Sequence, residues 1–85
     1  MPQVEIYTAP LCGFCHAAKR LLTRKGVAFV EHEVGRDPSL RAAMRDRAGG
    51  RNTVPQIFIG GTHVGGCDEL HQLEREGKLD PMLAG

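Results

Sequence analysis

The 85-residue chain predicts an α/β fold, a mixed four-stranded sheet with helices on its faces in the order β-α-β-α-β-β-α. Three observations carry this expectation. Apolar spacing switches from a period of two to a period near 3.6 at Cys12-Gly13-Phe14-Cys15. A second strand-then-helix alternation closes at Gly49-Gly50. Two short strand-like runs flank Gly60-Gly61.

Val4-Glu5-Ile6-Tyr7 alternates apolar with polar and is stopped by Thr8-Ala9-Pro10, which reads as a short strand. Beyond Cys12, Ala17, Ala18, Leu21 and Leu22 fall on one helical face, with Lys19, Arg20, Thr23 and Arg24 on the other. Gly26 is placed to end that helix. Residues 27–34 predict the second strand, with Val27, Phe29 and Val30 turned inward. Asp37-Pro38 reads as an N-cap followed by proline at the first helical position, and Leu40, Ala43, Met44 and Ala48 form the apolar stripe of that helix. Residues 55–59 predict the third strand, Gly60-Gly61 a two-residue hairpin and Thr62-His63-Val64 the fourth strand. Gly65-Gly66 leads into a helix with Asp68 and Glu69 in its first turn, Leu70 and Leu73 facing in, and Gly77 at its end. The last eight residues read as a short helix or tail. The first βαβ unit is expected to be parallel with a right-handed crossover, and the hairpin antiparallel.

This length suits one small domain, residues 1–85, in which every element shares one core. The hydrophobic fraction of 41% and charged fraction of 25% are ordinary for a globular chain. Eleven basic residues against ten acidic give a net charge of +1, which supplies no broad drive toward nucleic acid or an anionic membrane. The distribution is less even: no Asp or Glu lies between Ile6 and Val30, where Lys19, Arg20, Arg24 and Lys25 sit. That stretch carries a local positive field or is simply a solvated helix face. From Met1 the chain runs directly into the first strand, with no signal-like segment and no apolar run near the roughly 20 residues of a membrane helix. The expected location is the cytoplasm, where thiols stay reduced. Three cysteines, two of them three apart, fit a reactive pair plus one extra thiol better than a disulfide framework.

Cys12-Gly13-Phe14-Cys15 is the expected chemical centre. Thiols at i and i+3 of a helix start meet across one turn. Free N–H groups and the helix dipole favour negative charge on the first sulfur, and the thiolate is the nucleophile. Cys15, one turn inside, suits a resolving role. The alternatives are a cysteine pair used only for packing, a haem attachment site read from Cys12-Gly13-Phe14-Cys15-His16 with Met44 or Met82 as distal ligand, and a zinc site joining Cys12, Cys15 and Cys67 to a histidine such as His63 or His71. Haem attachment sits poorly with the strands and leaves Pro55 and Gly65-Gly66-Cys67 without a purpose.

Four pieces in order resemble the glutaredoxin family of the thioredoxin superfamily over essentially the whole chain: Val4-Glu5-Ile6-Tyr7-Thr8, Cys12-Gly13-Phe14-Cys15, Thr53-Val54-Pro55 and Gly65-Gly66-Cys67-Asp68. The resemblance is to the dithiol class, nearest the bacterial glutaredoxin 3 type. It implies a thioredoxin-like fold with strand order 2-1-3-4 and a glutathione-dependent thiol–disulfide oxidoreductase. Cys12 is then the nucleophile and Cys15 the resolving thiol. Glutathione is the co-substrate, no cofactor is tightly bound, and the substrates are glutathionylated or disulfide-containing proteins acted on by a monomer in cell redox homeostasis and electron transport.

The resemblance further implies a cis Val54-Pro55 bond facing Cys12, with the Val54 backbone pairing with glutathione as an added strand. Gly66 and the N–H groups of Cys67 and Asp68 would hold the γ-glutamyl carboxylate, and Asp68 its ammonium; Asp68 could equally be a helix cap. Arg51 would meet the glycine carboxylate, with Phe14 and Thr53 completing the site. Cys67 reads as a buried small residue rather than a third redox thiol. The family often carries Lys where this chain has Ala9, with Arg51 and Lys19 as candidate substitutes, and dithiol members usually carry Pro where it has Gly13. Gly13-Phe14 also resembles the monothiol branch, which implies an alternative function: carrying a [2Fe–2S] cluster with Cys12 as ligand and glutathione as co-ligand. A thioredoxin-like reductant would share the cysteine pair but not need the Gly66-Cys67-Asp68 corner.

Overall fold

A computed structural model describes residues 2–85; Met1 lies outside the described residues. The elements are β1 (Val4–Thr8), α1 (Gly13–Arg24), β2 (Val30–Glu33), α2 (Pro38–Arg47), β3 (Gln56–Ile59), β4 (Thr62–Gly65), α3 (Cys67–Arg75) and α4 (Leu79–Ala84). The sheet has the order β2-β1-β3-β4. β1 runs parallel to β2, with Glu5 opposite Val30, and antiparallel to β3, with Ile6 opposite Ile57. β3 and β4 are antiparallel, with a shift in register between Ile57 and Phe58.

The two central strands divide their side chains between two cores because successive residues point to opposite faces. Val4, Ile6, Ile57 and Ile59 meet Ala18, Leu21 and Leu22 of α1, Leu70 of α3, and Leu79 and Leu83 of α4. On the other face Tyr7 and Phe58 meet Val34, Met44 of α2 and Ala48, the residue that caps the end of that helix. α1 and α3 therefore share one side of the sheet, and α2 covers the other. Arg47 closes that second core. Its guanidinium lies 4.0 Å over the Phe58 ring and donates to Glu5 at 3.0 Å and to the Tyr7 hydroxyl at 2.8 Å.

Local signals explain where elements begin and end. The Asp37 carboxylate accepts the Leu40 N–H at 3.0 Å, capping α2 with Pro38 behind it. Gly60 and Gly61, at φ of 58° and 82°, form the two-residue turn that only residues free to take positive φ make easily.

Four expectations are corrected. The second strand spans Val30–Glu33 rather than residues 27–34. Residues 27–29 connect α1 to the sheet instead: the Val27 N–H bonds back to Leu22 O at 3.2 Å, so pairing with β1 starts only at Val30. Val27 and Phe29 do pack on the core, but Val30, on an edge strand, is 42% exposed. Ala43 is also exposed, because α2 meets the sheet through the narrower stripe of Met44 and Ala48 with Leu40 at its margin. β3 begins at Gln56, since Pro55 has no N–H to give a ladder.

Met44 is the one buried residue within α2. Truncating it leaves a void in a small core, so Met44→Ala should lower the unfolding free energy by about 2–4 kcal/mol. A urea titration should show an earlier midpoint at an unchanged slope.

Candidate active site

Cys12 is the residue before the first turn of α1, in extended conformation at φ −106° and ψ 105°. This turns its side chain back over the helix start, where Sγ accepts the Cys15 N–H at 3.1 Å. The nucleophile candidate is thus the N-cap of its own helix, in the place where an Asp or Ser oxygen would normally sit. It is half-buried. Its thiol also reaches the Val54 carbonyl at 3.9 Å, so the α1 start touches the loop before β3, and the Val54-Pro55 bond there is cis.

Cys15 is set apart by burial, with 1% of its surface exposed. Burial, followed by its contact with Cys12, pushes its thiol up to about 12, while the Ala9 backbone amide pulls weakly the other way. Cys67 is also buried, which likewise raises its thiol, with the neighbouring Asp68 charge adding to the effect. Its Sγ lies 3.4 Å from His71 Nδ1, one turn along α3.

Beside Cys12, a groove of about 240 Å³ is lined by Phe14, Arg51, Thr53, Val54, Pro55, Gly66, Cys67, Asp68 and Glu69. Three chain segments distant in sequence build it. Phe14 projects from the first turn of α1 and is 66% exposed. The loop from Arg51 to Pro55 forms the floor. The start of α3 forms the far wall, and a Cβ added at Gly66 would stand 3.3 Å from the Pro55 carbonyl, so the glycine permits this close approach. The eight residues other than the two cysteines that the sequence singles out as candidate contacts thus lie around one cavity.

Two residues that hold this arrangement were not singled out. The Gln56 side chain is wholly buried and donates to the Thr53 carbonyl at 3.0 Å and the Thr53 hydroxyl at 3.1 Å, while His63 lies 2.7 Å from its amide oxygen. It ties the loop to the sheet. Glu69 accepts the Gly66 N–H at 2.6 Å and the Arg51 guanidinium at 3.1 Å, joining the α3 start to the loop. The cap of α3 is therefore Glu69 and not Asp68, which is exposed. Glu three residues after the N-cap is a recognised helix-start signal that could have found it. Of the two candidate substitutes for the basic residue absent at Ala9, Arg51 lines the groove, whereas Lys19 is engaged with Glu31 at 3.0 Å.

The zinc alternative requires several ligands to converge. Among the described residues no group of three or more His, Cys, Asp or Glu is placed to hold a metal ion. The haem alternative meets a sheet-centred fold built around the same cysteines. Among the described residues no helix is long and apolar enough to cross a membrane.

The Gly66 amide, and after it Arg51, hold the Glu69 carboxyl below its ordinary value of 4.5. A depressed carboxylate stabilises the fold above that value and ceases to do so as the pH falls through the lower, folded-state value. Glu69 is nearly half exposed, so solvent limits the effect. Glu69→Gln should cost about 1 kcal/mol at neutral pH, and chemical denaturation should show the gap to the parent closing as the pH drops below 4.5.

Comparison with known proteins agrees with this geometry. The family model described as Glutaredoxin matches residues 4–64. A glutaredoxin of Pseudomonas aeruginosa is 57% identical over 84 residues, covering 99% of both chains. Glutaredoxin 3 of Escherichia coli K12 is 51% identical over 83 residues, covering 98% of this chain and 99% of the relative. The crystal structure of a buckwheat glutaredoxin–glutathione complex superposes with a TM-score of 0.89 at 34% identity, covering 98% of this chain and 77% of that one. The chain belongs to the glutaredoxin family and is a glutathione-dependent thiol–disulfide oxidoreductase.

Proposed function

We propose that the enzyme reduces protein–glutathione mixed disulfides and protein disulfides through Cys12 and Cys15. The observation that carries this reading is the position of the Cys12 sulfur, which caps α1 and touches Val54 at the mouth of the groove. As a thiolate, Cys12 attacks the glutathione sulfur of the mixed disulfide. The bond to the protein sulfur breaks, the protein thiolate leaves and takes up a proton, and Cys12 carries glutathione. A second glutathione thiolate attacks that bond, forming glutathione disulfide and returning Cys12. Over the cycle the protein sulfur is reduced and the incoming glutathione sulfur is oxidised, while the glutathione sulfur of the mixed disulfide keeps its oxidation level, so the electrons balance without a metal or organic cofactor.

Glutathione fits the groove by its chemistry. The Val54 backbone is available to pair with an extended peptide. The N–H groups of Cys67 and Asp68 open α3 and suit the γ-glutamyl carboxylate, with Asp68 for the ammonium. Arg51 suits the glycine carboxylate, and Phe14, Thr53, Pro55 and Gly66 shape the walls.

With a protein disulfide as substrate, Cys15 resolves the complex. Two of the influences that keep its thiol protonated, the hydrogen bond and the charge of Cys12, come from the nucleophile itself. Both fall away once Cys12 is held in a mixed disulfide, which eases loss of the Cys15 proton at the step that needs it, while burial, the largest influence, remains. The reading takes residues 1–85 as one domain acting as a monomer in the cytoplasm.

A second reading is transport of a [2Fe–2S] cluster shared between two copies. It rests on Cys12 being the one cysteine that is not buried, with Leu11 and Phe14 exposed on either side. Cys12 would be this chain's only ligand, and glutathione would complete the set. A colourless monomer after anaerobic reconstitution with iron, sulfide and glutathione would remove this reading.

The primary test is turnover of a glutathionylated protein with excess glutathione. Cys12→Ser should reduce activity to background, at least a thousandfold below the parent. Cys15→Ser should keep deglutathionylation within a fewfold of the parent while losing reduction of protein disulfides. Loss of deglutathionylation in Cys15→Ser would contradict the assigned roles.

A further inference from the structure

The positive stretch of α1 plays no part in the groove that takes glutathione. Counting along the helix at 100° per residue, His16, Lys19 and Thr23 continue the line that begins at Cys12, with Arg20 and Arg24 beside it. These five side chains line a second, open groove of about 410 Å³ running down α1 from the active-site turn. None of them lines the first groove. The acid-free segment contributes no counter-charge. Lys19 is neutralised by Glu31 at 3.0 Å, and Lys25 lies between Glu74 at 2.7 Å and Asp80 at 2.8 Å. Arg20 and Arg24 are exposed and, among the described residues, have no ion-pair partner. Two guanidinium groups thus stand uncompensated on the exposed side of α1, rotated about 80° and 120° around the helix from the nucleophile.

The distances suit a protein partner. A rise of 1.5 Å per residue puts the Arg20 backbone about 12 Å and that of Arg24 about 18 Å beyond Cys12. A protein interface of standard size covers about 800 Å² on each side, a patch of roughly 16 Å radius. A protein whose sulfur is bonded to Cys12 therefore reaches Arg20 well inside its contact area and Arg24 at its rim.

We propose that this face of α1 docks the protein half of the substrate and selects partners that carry acidic residues near the reacting cysteine. The proposal rests on the oxidoreductase reading above and adds to it which protein substrates are preferred. Charge at the rim acts chiefly on encounter and wrong-partner rejection, so the preference belongs in kcat/KM and weakens with salt.

The test uses two glutathionylated peptides of equal length, one with Asp and Glu around the mixed disulfide and one with Lys, together with the mixed disulfide of glutathione and 2-mercaptoethanol. At low ionic strength the enzyme should turn over the acidic peptide with a kcat/KM roughly tenfold above the basic one, and the ratio should fall toward unity by 0.5 M salt. The double variant Arg20→Ala/Arg24→Ala should lose the preference yet process the small mixed disulfide as the parent does, which shows that it is folded and active. Equal turnover of the two peptides by the parent, or a preference that survives in the double variant, would overturn the proposal. No glutathione-dependent turnover of the small mixed disulfide by the parent would instead overturn the oxidoreductase reading beneath it.

Discussion

The Cys12 sulfur takes the Cys15 amide at 3.1 Å because the chain enters α1 through an extended residue, and this one hydrogen bond fixes both cysteines. It leaves the first sulfur at the open end of the helix, half exposed, and sends the second beneath it into the core. The same end of the sheet receives the start of α3. α1 and α3 lie against one core on one side of β1 and β3, and their N-termini flank Val54-Pro55, one touching the Val54 carbonyl and the other closing on the Pro55 carbonyl. A reactive sulfur, an extended backbone segment and a helix N-terminus are thereby brought to one groove.

The division of labour proposed for the two thiols rests on burial. They stand three residues apart at the start of one helix, yet Cys12 is half-buried and Cys15 is buried. Desolvation is the largest influence on Cys15 and favours its neutral thiol, with the hydrogen bond and charge of Cys12 adding to it. On the proposed mechanism, the mixed disulfide at Cys12 removes the part of that bias that Cys12 itself supplies.

The fold was legible where local chemistry leaves few choices. Asp37-Pro38 can hardly be other than a helix start, Gly60-Gly61 other than a tight hairpin, and the Cys12 to Cys15 spacing at a strand-to-helix switch defined the chemical centre. The strand order followed from family resemblance. What could not be read depends on tertiary partners. Residues 27–29 have strand-like composition but lack a neighbour to pair with, since β1 offers its edge only from Val30 onward. The spacing of Glu69 from Gly66 marks it as a capping acid, but only the fold puts Arg51 beside it. Gln56 looks like an ordinary polar strand residue, and only the approach of Thr53 and His63 shows why it is wholly buried. Leu11, at φ 58° and fully exposed beside Cys12, carries no sequence signal for the left-handed backbone, which leucine seldom adopts.

On the proposed mechanism, the groove between Phe14 and the start of α3 makes the Cys12 chemistry specific for glutathione rather than for thiols in general. The most direct measurement is disulfide reduction driven by glutathione or by 2-mercaptoethanol at matched thiolate concentration. A groove that holds both ends of the tripeptide should make glutathione at least tenfold more effective, an advantage of about 1.4 kcal/mol or more. Equal rates with the two thiols would contradict it.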